Sequence, residues 1–175
     1  MATEAFRGEF YQKVDSKARV SIPASLRRIL ELDDPVTPEK PRARVNMVYG
    51  GPGRRFVECY SVKGAGLLNA RIEQLDVGSP EREQAELIFI TRSTEVEIDE
   101  DGRLVLPPKV RARMGVTAED LASGFQAAFA GKLDRFQLWK GEIYDHEVAA
   151  VDEDREGLLG GRDARFLLKN TVSGG

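Results

Sequence analysis

Apolar residues in this chain recur at two spacings, and each marks a kind of element. Val96 and Ile98 alternate with Glu95 and Glu97, the period-two pattern of a half-buried strand. A polar turn follows, and Leu104 and Leu106 then resume the alternation, so the segment predicts a short hairpin. Upstream, Leu26, Ile29 and Leu30 lie at i, i+3 and i+4, one apolar face of a short helix. The same order of elements occurs twice. Residues 10–23 read against residues 94–107 at an offset of 84, without a gap. Asp15/Asp99, Arg19/Arg103 and Pro23/Pro107 are identical at that offset. Val14/Ile98, Val20/Leu104 and Ile22/Leu106 are apolar in both copies. Val110 and Met114 carry the match into a second helix, at the places of Leu26 and Leu30, and Gly115 stands where a helix C′ glycine is expected. Gly102 suits a turn position with positive φ. Ala18 holds that position in the first copy, where it is either strained or forces a different turn.

More strand is predicted in each copy. Residues 45–49 and 126–130 are apolar-rich, each followed by a turn at 50–53 or 131–134. Residues 57–60 and 136–139 then end on an aromatic. Amphipathic helices close the copies, marked by Leu68, Ile72 and Leu75, and by Ile143, Val148 and Val151. Between them Ser79 and Pro80 read as N-cap and N1 of a joining helix that runs toward Ile90. Pro35, Pro38 and Pro41 make residues 33–44 an extended loop. The expected organisation is a first module at 6–76, a connecting helix at 77–91, a second module at 92–151 and a charged, glycine-rich tail at 152–175, expected to be partly disordered. The fold class is β-rich α+β. One module buries little core alone, so two are expected to pair with pseudo-twofold symmetry into one barrel-like unit with flanking helices.

Composition narrows the function. The chain has 175 residues and a formal net charge of −3, which by itself does not favour nucleic acid. The distribution is uneven. Residues 1–63 hold 12 Lys and Arg against 8 Asp and Glu, while the rest hold 14 against 21. Cys59 is the only cysteine, which excludes an intrachain disulfide and a cysteine-cluster metal site. Its apolar strand pattern reads as a buried structural thiol rather than a nucleophile. His146 is the only histidine and lies on a helix surface. The acids at 99–101 read as a solvated turn, and the glycines at 50–53 lack the Lys-Ser/Thr of a phosphate loop. No catalytic residue, metal or cofactor is expected. No apolar run approaches the ~20 residues that span a bilayer, and the start lacks a signal-peptide core, so a cytoplasmic location is expected.

The repeated Asp-x-x-x-Arg admits two readings. In one, the aspartate caps its own turn and the arginine locks the hairpin to its mate. In the other, the hairpin tip presents arginine outward to a DNA groove, where it can bond guanine O6 and N7 while lysine meets phosphate.

At this point the sequence resembles a known family. Residues 6–8 (Phe6, Arg7, Gly8) and 14–23 are similar to the opening of MraZ proteins, and residues 101–107 and 136–139 to their second half. The resemblance covers roughly residues 1–150, and each half resembles the swapped-hairpin half-barrel of AbrB-type regulators. It implies a cytoplasmic, nucleoid-associated regulator of transcription that binds double-stranded DNA. It implies promoter repeats upstream of the division and cell-wall gene cluster, including its own gene, as targets. It also implies a ring-shaped homo-oligomer. The family's two Asp-x-x-x-Arg motifs fall on Asp15 with Arg19 and on Asp99 with Arg103, with Lys17, Lys13 and Arg7 lending positive potential. Ala18 replaces the usual glycine, and Asp101 stands where the first copy has Lys17. The alternative is an oligomeric scaffold barrel without specific DNA binding.

Overall fold

The computed structural model describes residues 4–153 and 157–169. Residues 4–141 form one compact unit, and the chain from Glu142 forms another. The first contains β1 (Glu9–Val14), β2 (Arg19–Ser21), α1 (Ala24–Leu32), β3 (Arg44–Val48), β4 (Phe56–Tyr60), α2 (Val62–Glu73) and α3 (Pro80–Glu86). It continues through β5 (Ser93–Glu97), β6 (Arg103–Val105), α4 (Pro108–Met114), α5 (Ala118–Ser123), β7 (Phe125–Gly131) and β8 (Phe136–Lys140). This is an α+β fold with two antiparallel sheets.

The repeat survives folding as a dyad. The six-stranded sheet runs β1-β7-β8-β4-β3-β5, so β1 pairs with β7 of the second half and β5 with β3 of the first. At the centre β4 pairs with β8, Val57 opposite Leu138 and Glu58 opposite Gln137. The second sheet is β2 with β6 alone, where Val20 faces Leu104. Arg19 opposite Val105 then mirrors Arg103 opposite Ser21. The local hairpins expected within each copy are therefore corrected. The chain turns at 15–19 and again at 99–103, but the two arms part, and each arm takes its sheet partner from the other half. Exchange explains how so little sequence per copy builds a core. Val14, Val20, Leu26, Leu30, Leu104, Leu106, Val110, Met114, Phe129, Phe136 and Leu138 all pack into one cluster drawn from both halves. Each large side chain buried there contributes roughly 1.5–3 kcal/mol.

The periodic helices form where their apolar positions require. Leu26, Ile29 and Leu30 are the buried face of α1. Ser79 caps α3 by accepting the Arg82 N–H at 3.2 Å, with Pro80 in the first turn. The chain then widens into a π-helix at Leu87–Thr91. Gly115 closes α4 at φ 75°. The sequence pattern missed α5, although its start is well marked. Thr117 and Asp120 form a reciprocal capping box there.

The loop at 33–44 is tied down by Asp34, which is buried. Its carboxylate accepts the Arg44 N–H at 2.9 Å and the Arg44 Nε–H at 3.2 Å, and also pairs with Lys40. Burial alone would push this carboxyl up. The donors from Arg44 and Lys40 outweigh it and hold the carboxyl below its ordinary value. Glu58 ties the two central turns together, buried between Arg54 and Arg135, which pair with its two carboxylate oxygens.

In the second unit, α6 (Gly141–Glu153) begins at the boundary, and Ala164–Leu168 form a 3-10 helix whose N-cap is Asp163. The tail's composition does not announce that helix. The rest of the expected disorder falls partly on 154–156 and 170–175, outside the described residues. Among the described residues no helix is long and apolar enough to cross a membrane.

Candidate nucleic-acid interface

Each turn is built around its aspartate. Asp15 Oδ1 accepts the N–H groups of Lys17 at 2.9 Å and Arg19 at 3.0 Å. Asp99 Oδ1 accepts those of Asp101 and Arg103, both at 2.9 Å. Backbone bonds close both turns, Asp15 N–H to the Arg19 carbonyl and Asp99 N–H to the Arg103 carbonyl. The backbone bond from the arginine, followed by opposing desolvation and further donors, leaves both carboxyls below the usual value of 3.8.

The backbone conformation is the same in both turns. Gly102 has φ 74° and Ala18 φ 61°. Ala18 thus accepts the strained conformation rather than a different turn, at a cost of roughly 1–2 kcal/mol. Its methyl group is buried in the core cluster. At Gly102 a Cβ would meet the end of the Arg27 side chain from α1, which would have to move aside. The counterpart of Arg27 is Arg111, which instead donates to the Leu106 carbonyl at 3.0 Å.

The lock between the halves is backbone, not arginine. Ile22 N–H donates to the Gly102 carbonyl at 3.0 Å and Leu106 N–H to the Ala18 carbonyl at 2.9 Å. Arg19 and Arg103 bond their own turns instead. Arg19 Nε donates to Asp15 Oδ2 at 2.7 Å, and its terminal nitrogens have no hydrogen-bond partner among the described residues. Arg103 is held differently. Its Nε lies 3.5 Å from Asp99, buried and without a hydrogen bond, while Nη2 donates to Asp101 at 3.1 Å.

The antiparallel β2·β6 register makes the two arginines diagonal neighbours, about 7–8 Å apart at their Cβ-bearing positions. Val20 and Leu104 point into the core, so Arg19, Ser21, Arg103 and Val105 share the outward face. The two turns therefore serve one surface. Lys17 is exposed on the first turn, and Lys13 is exposed two residues before Asp15 on β1. Arg7 is not brought here. It lies beyond the other end of β1, roughly 20 Å along the strand from Lys13. Sequence reasoning passed over Ser21 and Val105. The signal was available, because they are repeat counterparts that alternation places on the arginine side. Arg42 approaches the second turn from the 33–44 loop, 3.9 Å from Glu100.

Comparison with curated proteins identifies the family of the chain. A protein of Cereibacter sphaeroides strain KD131 is 46% identical over 168 residues, covering 96% of this chain and 98% of the relative. The chain belongs to the MraZ family. A Ruegeria pomeroyi relative is 41% identical over 149 residues, covering 85% of each chain. A Rickettsia akari relative is 26% identical over 167 residues, covering 94% of this chain and 97% of its own. All three are named transcriptional regulator MraZ. No family model matches the chain. Cys59 is fully buried and burial pushes its thiol far up, while His146 is exposed on α6.

Proposed function

We propose that this chain is a transcriptional regulator that binds double-stranded DNA sequence-specifically through the outward face of the β2·β6 ribbon. The diagonal Arg19/Arg103 pair carries this reading. A two-stranded ribbon fits the major groove, and an arginine held at Nε keeps both terminal nitrogens available for guanine O6 and N7. Asp15 aims Arg19 and stays off the DNA, since a carboxylate facing phosphate is repelled. Asp99 orders the second turn through the backbone N–H groups of Asp101 and Arg103, and Arg103 reaches DNA only when Asp101 releases its Nη2. Lys17 and Lys13 meet phosphates. Arg7 lies beyond the Debye length of about 8 Å at physiological salt, so its pull on DNA bound at the ribbon is confined to low ionic strength.

The family resemblance extends the reading. The targets are promoter repeats of the division and cell-wall gene cluster, including the chain's own gene. The location is the cytoplasm, at the nucleoid, and no enzymatic step is involved. The modules at 6–76 and 92–151, joined by 77–91, are AbrB-like swapped hairpins completing a barrel-like unit. The exchange of β1 and β5 between halves supports that assignment. Copies assemble into a ring, and exposed Leu67, Leu75, Val77, Leu87 and Ile90 supply apolar surface for the contact.

The test is binding to the promoter repeat against scrambled duplex across a salt series. Specific binding whose logarithm falls linearly with log salt is expected. A scaffold would assemble and yet bind both duplexes equally poorly. Sedimentation that gives a concentration-independent monomer would remove the ring.

A further inference from the structure

In residue type the outward face of the ribbon is nearly its own image under the dyad, and its four residues depart from it at one position. Arg19 maps onto Arg103, but Ser21 maps onto Val105. Register sets the consequence. Val105 lies directly opposite Arg19, and Ser21 directly opposite Arg103. Each arginine thus has a different cross-strand companion on the surface that faces outward. Val105 is 50% exposed, an apolar side chain on a face that otherwise carries two guanidinium groups and a hydroxyl. Neither residue has a role in the core. The inward positions are filled by Val20 and Leu104, at 1% and 2% exposure.

We propose that Val105 and Ser21 give this surface a direction on DNA. Val105 packs on a thymine 5-methyl beside the base read by Arg19, and Ser21 hydrogen-bonds a base edge beside the one read by Arg103. The inference rests on the ribbon being the DNA-reading face, and it deepens that reading. In the major groove the thymine methyl is the apolar feature that tells T·A from the other pairs, and an aliphatic side chain is its natural partner. A serine hydroxyl both donates and accepts, so it takes a polar edge and gains nothing from a methyl. Arg19 and Arg103 differ in how their guanidinium groups are held, and their companions add an apolar contact on one side and a polar one on the other. Unequal companions read an asymmetric element, and the protein then lies on it in one orientation.

The experiment is selection from a random-sequence duplex library with the full chain, followed by titration of the selected duplex. The parent is expected to select an asymmetric consensus with thymine next to a guanine. Replacing that thymine with uracil removes one methyl and should weaken parent binding about fourfold. In Val105→Ser the uracil and thymine duplexes should bind alike. Ser21→Val gives both arginines a valine companion and should add a thymine preference beside the base read by Arg103. Val105→Ala is a second variant that keeps the position apolar but shortens it, and should lose most of the uracil effect. Both positions are on the surface, and each variant is first checked for unchanged melting and assembly. If Val105→Ser and Val105→Ala select the parent's consensus and keep its uracil sensitivity, the directional inference is wrong while DNA reading stands. If the parent enriches no sequence at any salt, the DNA-reading surface itself falls, and the inference with it.

Discussion

The two turns of this protein share a backbone and differ in what they do with their arginine. Around Asp15 the guanidinium is gripped at Nε, at 2.7 Å, and its outer nitrogens stay open. Around Asp99 the Nε contact loosens to 3.5 Å, and the outer edge is claimed by Asp101. The difference arises at the third residue of the motif, lysine in one copy and aspartate in the other. Identical Asp and Arg at identical spacing therefore do not ensure the same presentation. The neighbour that competes for the guanidinium decides whether the arginine faces outward ready to bond or is occupied at home. A second asymmetry runs the other way. The first turn carries backbone strain at Ala18, and the second avoids strain with Gly102 while crowding Arg27 against itself.

Breaking the first turn should have the largest effect. Arg19→Ala is expected to cost roughly 1–3 kcal/mol of operator binding and to relax specificity. Arg103→Ala should cost less, because Asp101 must first release its guanidinium. Titrations on variants with unchanged melting and assembly check the order, and equal losses would erase the distinction between the turns. Next in size is Gly102→Ala. It imposes left-handed strain of roughly 1–2 kcal/mol and must also displace Arg27, so thermal unfolding should show a clear loss. The reverse change, Ala18→Gly, relieves that strain but loosens the unfolded chain by ~0.5–1 kcal/mol. A net gain of about 0.5–1 kcal/mol is expected, and a destabilised variant would show that Ala18 packing outweighs its strain.

Asp101→Lys makes the second turn resemble the first. It should steepen the salt dependence of binding by about 0.9 per phosphate gained and leave melting nearly unchanged. An unaltered slope would place the second turn away from DNA. The smallest effect concerns pH. Both turn aspartates are held below the ordinary 3.8 by bonds from the arginine backbone. A carboxyl depressed on folding contributes stability that is present above its unfolded value and lost as pH falls through its folded value. Amide protection at Arg19 and Arg103 should therefore hold from neutral pH down to about 4 and fail only below that. Loss of protection between pH 5 and 7 would mean another group holds the turns.

Much of this was legible in the chain itself. The 84-residue repeat marked the two turns, their aspartates and arginines, the buried faces of α1 and α4, and the Ser79–Pro80 helix start. Those features depend on contacts within four or five residues, where side-chain chemistry and backbone geometry act directly. The family also followed from motif order, without any knowledge of strand partners. Tertiary structure alone decided who pairs with whom. Alternation tells which side of a strand is buried, but not which strand lies beside it, so β1 and β5 read as parts of local hairpins when each pairs with a strand of the other half. That exchange made one surface of two turns, set Val105 opposite Arg19 and Ser21 opposite Arg103, and left Arg7 at the far end of β1. Which arginine stays open was likewise a three-dimensional outcome, because Asp101 and Asp99 compete for Arg103 by distance and direction, and neither can be read from spacing along the chain.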